Sequence, residues 1–218
     1  MELIRILQQI SSALTALAQL TTSIGELGKT LPRLLMLLGP SVSYRNLVLS
    51  LELDICDRDG ELAILRRTQT VEFRTPDAGV VRELLWGDGR RDLPAHTKGA
   101  DALITRREGG REVHLLGTSP PPARGERRRI ETERVVRGGL LCVDEYLEAL
   151  TERPTAVLKL RVLFPKGRCA LQAKAEMSPP RARARSLRAR LTSDGRASLS
   201  WTIRNPRELA TYRLAWHW

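Results

Sequence analysis

Two rhythms divide the chain. Over the first 38 residues the positions Leu3, Leu7, Ile10, Leu14, Leu17, Thr21, Ile24, Gly28, Leu31, Leu35 and Leu38 fall alternately four and three apart. That is the spacing of a helix with one side buried against other helices. Ile6, Ala13, Leu20, Leu27 and Leu34 form a second line beside it. The predicted apolar face is therefore wider than a dimer seam, which suits packing against two neighbours or lying on a surface. From Ile6 to Gly25 there is no charged residue, and nine of the twenty positions are Gln, Ser or Thr. Twenty helical residues span roughly 30 Å, near the hydrocarbon thickness of a bilayer, but so many polar side chains argue against a lone lipid-exposed span. They suit a helix whose polar side meets other helices inside an assembly. Gly28 and Pro32 predict a break over residues 28–32, and Gly39-Pro40 ends the pattern. Residues 39–43 read as a linker.

From Tyr44 the period becomes two. Leu47, Leu49, Leu51, Leu53 and Ile55 alternate with polar residues, Asp57-Arg-Asp-Gly60 turns the chain, and 62–73 returns as the second strand of a hairpin. Turn chemistry accounts for Asp57 and Asp59 better than a calcium loop, because strand resumes at once. Residues 80–86, 100–107 and 112–116 read as further strands. Residues 124–137, highly charged around Ile130, Val135 and Val136, fit a long exposed strand or a mobile crossing, and 140–150 fits one or two helical turns. Residues 155–164, 170–177, 183–192, 197–203 and 212–218 complete the series. Short strands at turn-punctuated spacing predict a mainly β fold, an antiparallel β-sandwich over 44–218 preceded by the N-terminal amphipathic helix of 1–38.

Three stretches add a resemblance: Leu85-Trp-Gly-Asp-Gly89, Pro154-Thr-Ala-Val-Leu-Lys-Leu160 leading into Leu163-Phe-Pro165, and Tyr212-Arg-Leu-Ala-Trp216. Together they are similar to an immunoglobulin-like β-sandwich module of bacterial proteins, often an accessory to defence or signalling effector domains. The resemblance covers residues 44–218. It implies a non-catalytic module that works with a partner, and it carries over no binding residue.

Charge changes the picture next. The net charge of +11 lies entirely in residues 123–218, with twenty-one basic and ten acidic side chains; the two preceding parts, 1–44 and 45–122, carry +1 and −1. Arg181, Arg183 and Arg185 alternate with alanine, and Arg188 and Arg190 continue the stripe. As a strand it offers an anion-binding face for nucleic acid or anionic lipid, against the plainer role of arginines that keep an edge soluble. No aromatic residues interleave, so stacking on single-stranded nucleic acid is not expected.

Catalytic chemistry is less in view. Cys56, Cys142 and Cys169 form no close pair, and His96, His114 and His217 stand in no metal-ligand spacing. Only a folded site gathering His96, Asp88 and Cys142 would offer a nucleophile, and a partly buried structural cysteine is the simpler expectation. No cofactor, metal or catalytic residue is expected. Glu2 and the early Gln8-Gln9 argue against a cleaved secretory signal, so the expected location is the cytoplasm, extending to the periphery of the inner membrane face. The expectation is a non-enzymatic interaction protein that self-associates or binds a partner protein through Leu3, Leu7, Ile10, Leu14, Leu17, Leu20, Ile24 and Leu27. An anionic membrane surface is a further expected contact. An arginine-rich nucleic-acid-binding adaptor is the alternative.

Overall fold

The computed structural model describes residues 43–75, 79–85, 90–91, 96–108, 111–179 and 184–218. The N-terminal helix expected over 1–38, its break and its interface residues Leu3 to Leu27 lie outside the described residues, as do Asp88, Arg181 and Arg183. Val42–Trp218 form one compact unit, and its described residues are mainly β.

In chain order the strands are β1 (Tyr44–Ile55), β2 (Leu62–Phe73), β3 (Val80–Leu85), β4 (Arg90–Arg91), β5 (His96–Lys98), β6 (Ala102–Glu108), β7 (Arg111–Gly117) and β8 (Arg127–Arg137). They continue as β9 (Asp144–Leu150), β10 (Thr155–Leu163), β11 (Gln172–Ser178), β12 (Arg185–Leu187), β13 (Arg190–Leu191), β14 (Ala197–Arg204) and β15 (Thr211–His217). The large sheet has the order β13-β14-β10-β1-β2-β8-β4, with β5 also on β8; the smaller ones are β12-β11-β15-β9 and β3-β7-β6. β1 and β10 run parallel, and the other described pairings are antiparallel.

Alternation explains the packing. Leu49, Leu51, Leu53 and Ile55 of β1, Leu158, Leu160 and Val162 of β10 and Leu199 of β14 face Leu147, Ala149, Tyr212, Leu214 and Trp216 of the β12-β11-β15-β9 sheet, forming the larger apolar cluster. Tyr44, Val71, Phe73 and Ile130 meet Val81 and Leu116 of the β3-β7-β6 sheet in a second, smaller one. Burying such side chains stabilises each cluster by about 1.5–3 kcal/mol per residue before the entropy of ordering is subtracted.

Three expectations change. A register shift lies between Asn46 and Val48, so Leu47 is a bulge residue, half-buried, and Tyr44 and Asn46 take the inward places. Residues 144–150 are strand rather than helical turns: β15 supplies backbone partners from Asp144 to Leu150, and Glu145, Leu147 and Ala149 point inward together. β8 is neither mobile nor merely exposed, since it pairs with β2 over eleven residues and turns Ile130, Thr132, Arg134 and Val136 to the interior. The turn reading at Asp57 holds, its Oδ1 accepting from Gly60 N at 2.7 Å and Glu61 N at 3.0 Å.

Candidate functional site

Polar side chains cross the inner face of the large sheet on a diagonal. Strand parity puts Thr155 of β10, Asn46 of β1, Gln69 and Arg67 of β2, and Thr132 and Arg134 of β8 on that face, and the row separates the two apolar clusters. A buried polar group without a partner costs stability, so the row is held together by its own hydrogen bonds. Gln69 Nε2 donates to Asn46 Oδ1 at 2.6 Å, and Asn46 Nδ2 to Thr155 Oγ1 at 3.1 Å. Arg67 NH2 donates to Gln69 Oε1 at 3.1 Å.

At the β8 end the row meets the small β3-β7-β6 sheet, where Glu83 and His114 are cross-strand neighbours. Arg134 NH2 donates to Glu83 Oε2 at 2.5 Å, and Thr132 Oγ1 to Glu83 Oε1 at 3.1 Å. Arg134 NH2 also lies 3.0 Å from His114 Nδ1, while His114 Nε2 is 2.6 Å from Glu112 Oε1. A guanidinium only donates, so Nδ1 is the acceptor and Nε2 carries the proton toward Glu112. Arg134, Glu83 and His114 are each 1% exposed. Burial pushes the Arg134 pKa below its ordinary value while the Glu83 charge pulls it back up. Arg134 Nε and NH1 find no hydrogen-bond partner among the described residues.

Beside this network Arg82 NH1 donates to Glu152 Oε1 at 2.9 Å, and Arg153 sits 5.2 Å from the centre of the Tyr44 ring. A cavity of about 30 Å³ lies between Asn46, Arg67, Gln69, Arg82, Glu152 and Arg153, room for little more than a water molecule. These groups form a buried polar seam between sheets, in which Arg134 and Arg67 share Glu83 and Arg82 pairs with Glu152.

Open surface lies elsewhere. The outward face of the β12-β11-β15-β9 sheet carries a groove of about 840 Å³, floored by Arg213 and Ala215 and bordered by Tyr146, Leu171, Leu187 and Arg188. Several of its polar groups meet in pairs: His217 Nδ1 is 3.0 Å from Asp144 Oδ1, Arg213 Nε donates to Glu148 Oε2 at 2.8 Å, and Lys174 Nζ is 2.7 Å from Glu176 Oε1. The Arg213 guanidinium also lies over Tyr146, 4.3 Å from the ring centre. Exposed Leu171, with Leu141 and Val143 ahead of β9, adds apolar surface. The face thus combines polar, aromatic and aliphatic groups.

Of the predicted anion stripe, Arg181 and Arg183 lie outside the described residues. Arg185, Arg188 and Arg190 are exposed, but Arg185 belongs to β12 in one sheet and Arg190 to β13 in another. Cys142 is exposed rather than partly buried, and the His96 side chain and Asp88 lie outside the described residues. Among the described residues no group of three or more His, Cys, Asp and Glu is placed to hold a metal ion. Sequence reasoning missed the Glu83–His114–Arg134 contact. Its signal was present in parity, since Thr132 and Arg134 occupy the same frame as Ile130 and Val136.

No family model and no curated protein matches the sequence. Solved structures do. A candidate protease from Parabacteroides distasonis superposes with a TM-score of 0.52 at 15% identity, over 81% of this chain and 40% of that one. The M1 zinc metallopeptidase of Deinococcus radiodurans gives 0.48 at 14% identity, over 79% of this chain and 42% of its own. The likeness to the first concerns the fold alone. The chain matches 40% and 42% of the lengths of these two structures.

Proposed function

We propose that this chain is a non-enzymatic interaction protein of a bacterial defence or signalling system. Residues 1–38 assemble copies of the chain or a partner protein, at the cytoplasmic face of a membrane in one setting, and an immunoglobulin-like sandwich over 44–218 supplies recognition. The observation that carries the reading is that, among the described residues, 44–218 gather two apolar clusters of their own, with the Glu83–Arg134 ion pair buried beside them. The wide apolar face of Leu3, Leu7, Ile10, Leu14, Leu17, Leu20, Ile24 and Leu27, read from the heptad spacing, is the surface assigned to association.

Two further features support the sandwich as a recognition module. Tyr212, near the start of β15, accepts through its hydroxyl from Arg207 N at 2.6 Å, which resembles the tyrosine corner of immunoglobulin-type sandwiches. A fold that also occurs within a chain more than twice as long is consistent with a part that works beside others. The defence or signalling setting rests on the resemblance at 85–89, 154–165 and 212–216.

The test compares the light-scattering mass of the full chain with that of a variant lacking residues 1–38 and of Leu7→Ser/Leu14→Ser/Leu17→Ser. The full chain is expected above its 24.5 kDa monomer mass and both variants at their monomer masses. Unchanged mass together with unchanged binding to neutral vesicles refutes the reading. The nucleic-acid adaptor is the second reading, favoured by the exposure of Arg185, Arg188 and Arg190; it requires binding that falls steeply with salt.

A further inference from the structure

The outer face of the large sheet is laced with charge, and most of that charge cancels. In the row through Arg161, Glu52, Arg66 and Glu133, Arg161 lies 3.1 Å from Glu52 and Arg66 lies 3.3 Å from Glu52 and 2.8 Å from Glu133. Arg66 and Arg196 both reach Asp54, at 3.2 and 2.5 Å. Three cations thus meet three carboxylates.

The row at the chain-entry end does not balance. Strand register puts Arg45 of β1 and Arg127 of β8 on either side of Glu72 in β2. The Glu72 carboxylate lies 3.1 Å from Arg45 NH2, 3.4 Å from Arg127 Nε and 3.5 Å from Arg74 Nε. Among the described residues three guanidinium groups share one carboxylate, for a charge of +2. The Glu72 side chain is 10% exposed, whereas Arg45, Arg74 and Arg127 are 39%, 47% and 67% exposed. The buried carboxylate therefore acts as a peg that holds three half-open guanidiniums. Neighbouring strands are about 4.8 Å apart, so the backbones of Arg45 and Arg127 stand roughly 10 Å from each other while their guanidiniums converge on Glu72. Beside them Arg128 pairs with Glu126 and Arg129 with Glu131, each at 2.6 Å, and add no net charge.

We infer that Arg45, Arg74 and Arg127 form a docking face for the phosphates of an anionic lipid surface. Charge complementarity selects an anion, and three half-open guanidiniums on the outer face of the sheet, from β1, β8 and the residue after β2, suit a phosphate-bearing surface. Chain connectivity selects the lipid. Arg74 N donates to the carbonyl of Ser43 at 2.8 Å, and six residues lie between Leu38, the end of the heptad pattern, and Arg45. This inference deepens the membrane setting of the proposed function and rests on it. It places the electrostatic contact at Arg45, Arg74 and Arg127, whereas the sequence pointed to residues 181–190 of the same domain.

The experiment is sedimentation of the full chain with vesicles of phosphatidylcholine alone and with added phosphatidylglycerol, at low and physiological salt. Binding to neutral vesicles reports residues 1–38; the gain on anionic vesicles reports the triad. Arg45→Gln/Arg74→Gln/Arg127→Gln is expected to lose the anionic gain, on the order of 100-fold at low salt at about fivefold per arginine, with neutral binding unchanged. The charge-matched Arg185→Gln/Arg188→Gln/Arg190→Gln is expected to keep it. Arg127→Gln alone, at the most exposed member, is expected to lose about fivefold and answers the question should the triple variant fold poorly. Equal losses in the two triple variants overturn the inference, as does an unchanged Arg127→Gln. A wild-type chain without anionic preference overturns it too, and duplex DNA binding that depends on the triad in its place assigns the face to nucleic acid. Loss of neutral binding on removing residues 1–38, with the anionic gain absent throughout, overturns the triad and leaves the association reading standing.

Discussion

Glu83→Leu tests the buried seam most directly. The substitution removes the carboxylate that accepts from Arg134 at 2.5 Å and from Thr132 at 3.1 Å, and leaves a guanidinium that is 1% exposed without its counter-charge. Removing one partner of a buried ion pair costs about 3–5 kcal/mol, because the remaining charge stays desolvated. Arg67 Nε, 3.9 Å from the same carboxylate, loses a counter-charge as well, which places the expected cost in the upper part of that range. At about 2–4 °C per kcal/mol for a domain of this size, the melting temperature falls by roughly 10 °C or more. The double variant Glu83→Leu/Arg134→Met behaves differently, since the fully buried guanidinium leaves with its partner. The defects that remain are His114 Nδ1 without a donor, Thr132 Oγ1 without its acceptor and Arg67 without the Glu83 charge, each worth about 1 kcal/mol, so it is expected above Glu83→Leu. Urea and thermal unfolding of the native chain, both single variants and the double variant measure the coupling. A Glu83→Leu cost below about 1 kcal/mol, or a double variant less stable than Glu83→Leu, refutes the reasoning.

Two more expectations concern turn geometry and acid. At Gly60, φ is +80° and an added Cβ stands 2.1 Å from the Leu140 carbonyl oxygen; Gly60→Ala is expected to cost at least about 2 kcal/mol, combining left-handed strain with the clash. A urea midpoint that hardly moves sinks that argument. In acid, a hydrogen bond from Arg45 and the charges of Arg74 and Arg127 hold the Glu72 carboxyl below its ordinary value near 4.5, and a hydrogen bond from Arg128 does the same for Glu126. A carboxyl with a lowered folded pKa contributes stability above its unfolded value and loses it as pH falls through the folded one. Melting temperature is therefore expected to be flat from about pH 7 to 5 and to fall below that. The fall is shallower in Glu72→Gln, and equal slopes in the two chains contradict the assignment.

How much was legible depends on whether a feature is local. The hairpin of residues 44–73, the turn at Asp57–Gly60 and the inward sets Leu158-Leu160-Val162 and Tyr212-Leu214-Trp216 follow from period-two alternation and from the need of Asp and Gly in a tight turn. Local pattern failed where a distant strand decided the outcome. Residues 140–150 carry Tyr146, Leu147 and Leu150 at a helical spacing, yet β15, some sixty residues later, supplies the backbone partners that make residues 144–150 a strand. The bulge at Leu47 is similarly non-local: it turns Tyr44 toward Phe73 and Asn46 toward Thr155.

The charged groups show the same division. Composition alone established a basic chain with its excess in the last 96 residues, and it pointed to residues 181–190, of which Arg185 and Arg190 stand in different sheets. The triad around Glu72 joins residues 45, 74 and 127, and the buried contact joins 83, 114 and 134. No window of sequence contains either. Side-chain parity belongs to a strand and is written locally, so the sequence by itself determined the mainly β character and most inward faces. Which strands lie side by side is set by long-range backbone pairing and by burial across sheets, and only the tertiary structure decided which charges meet.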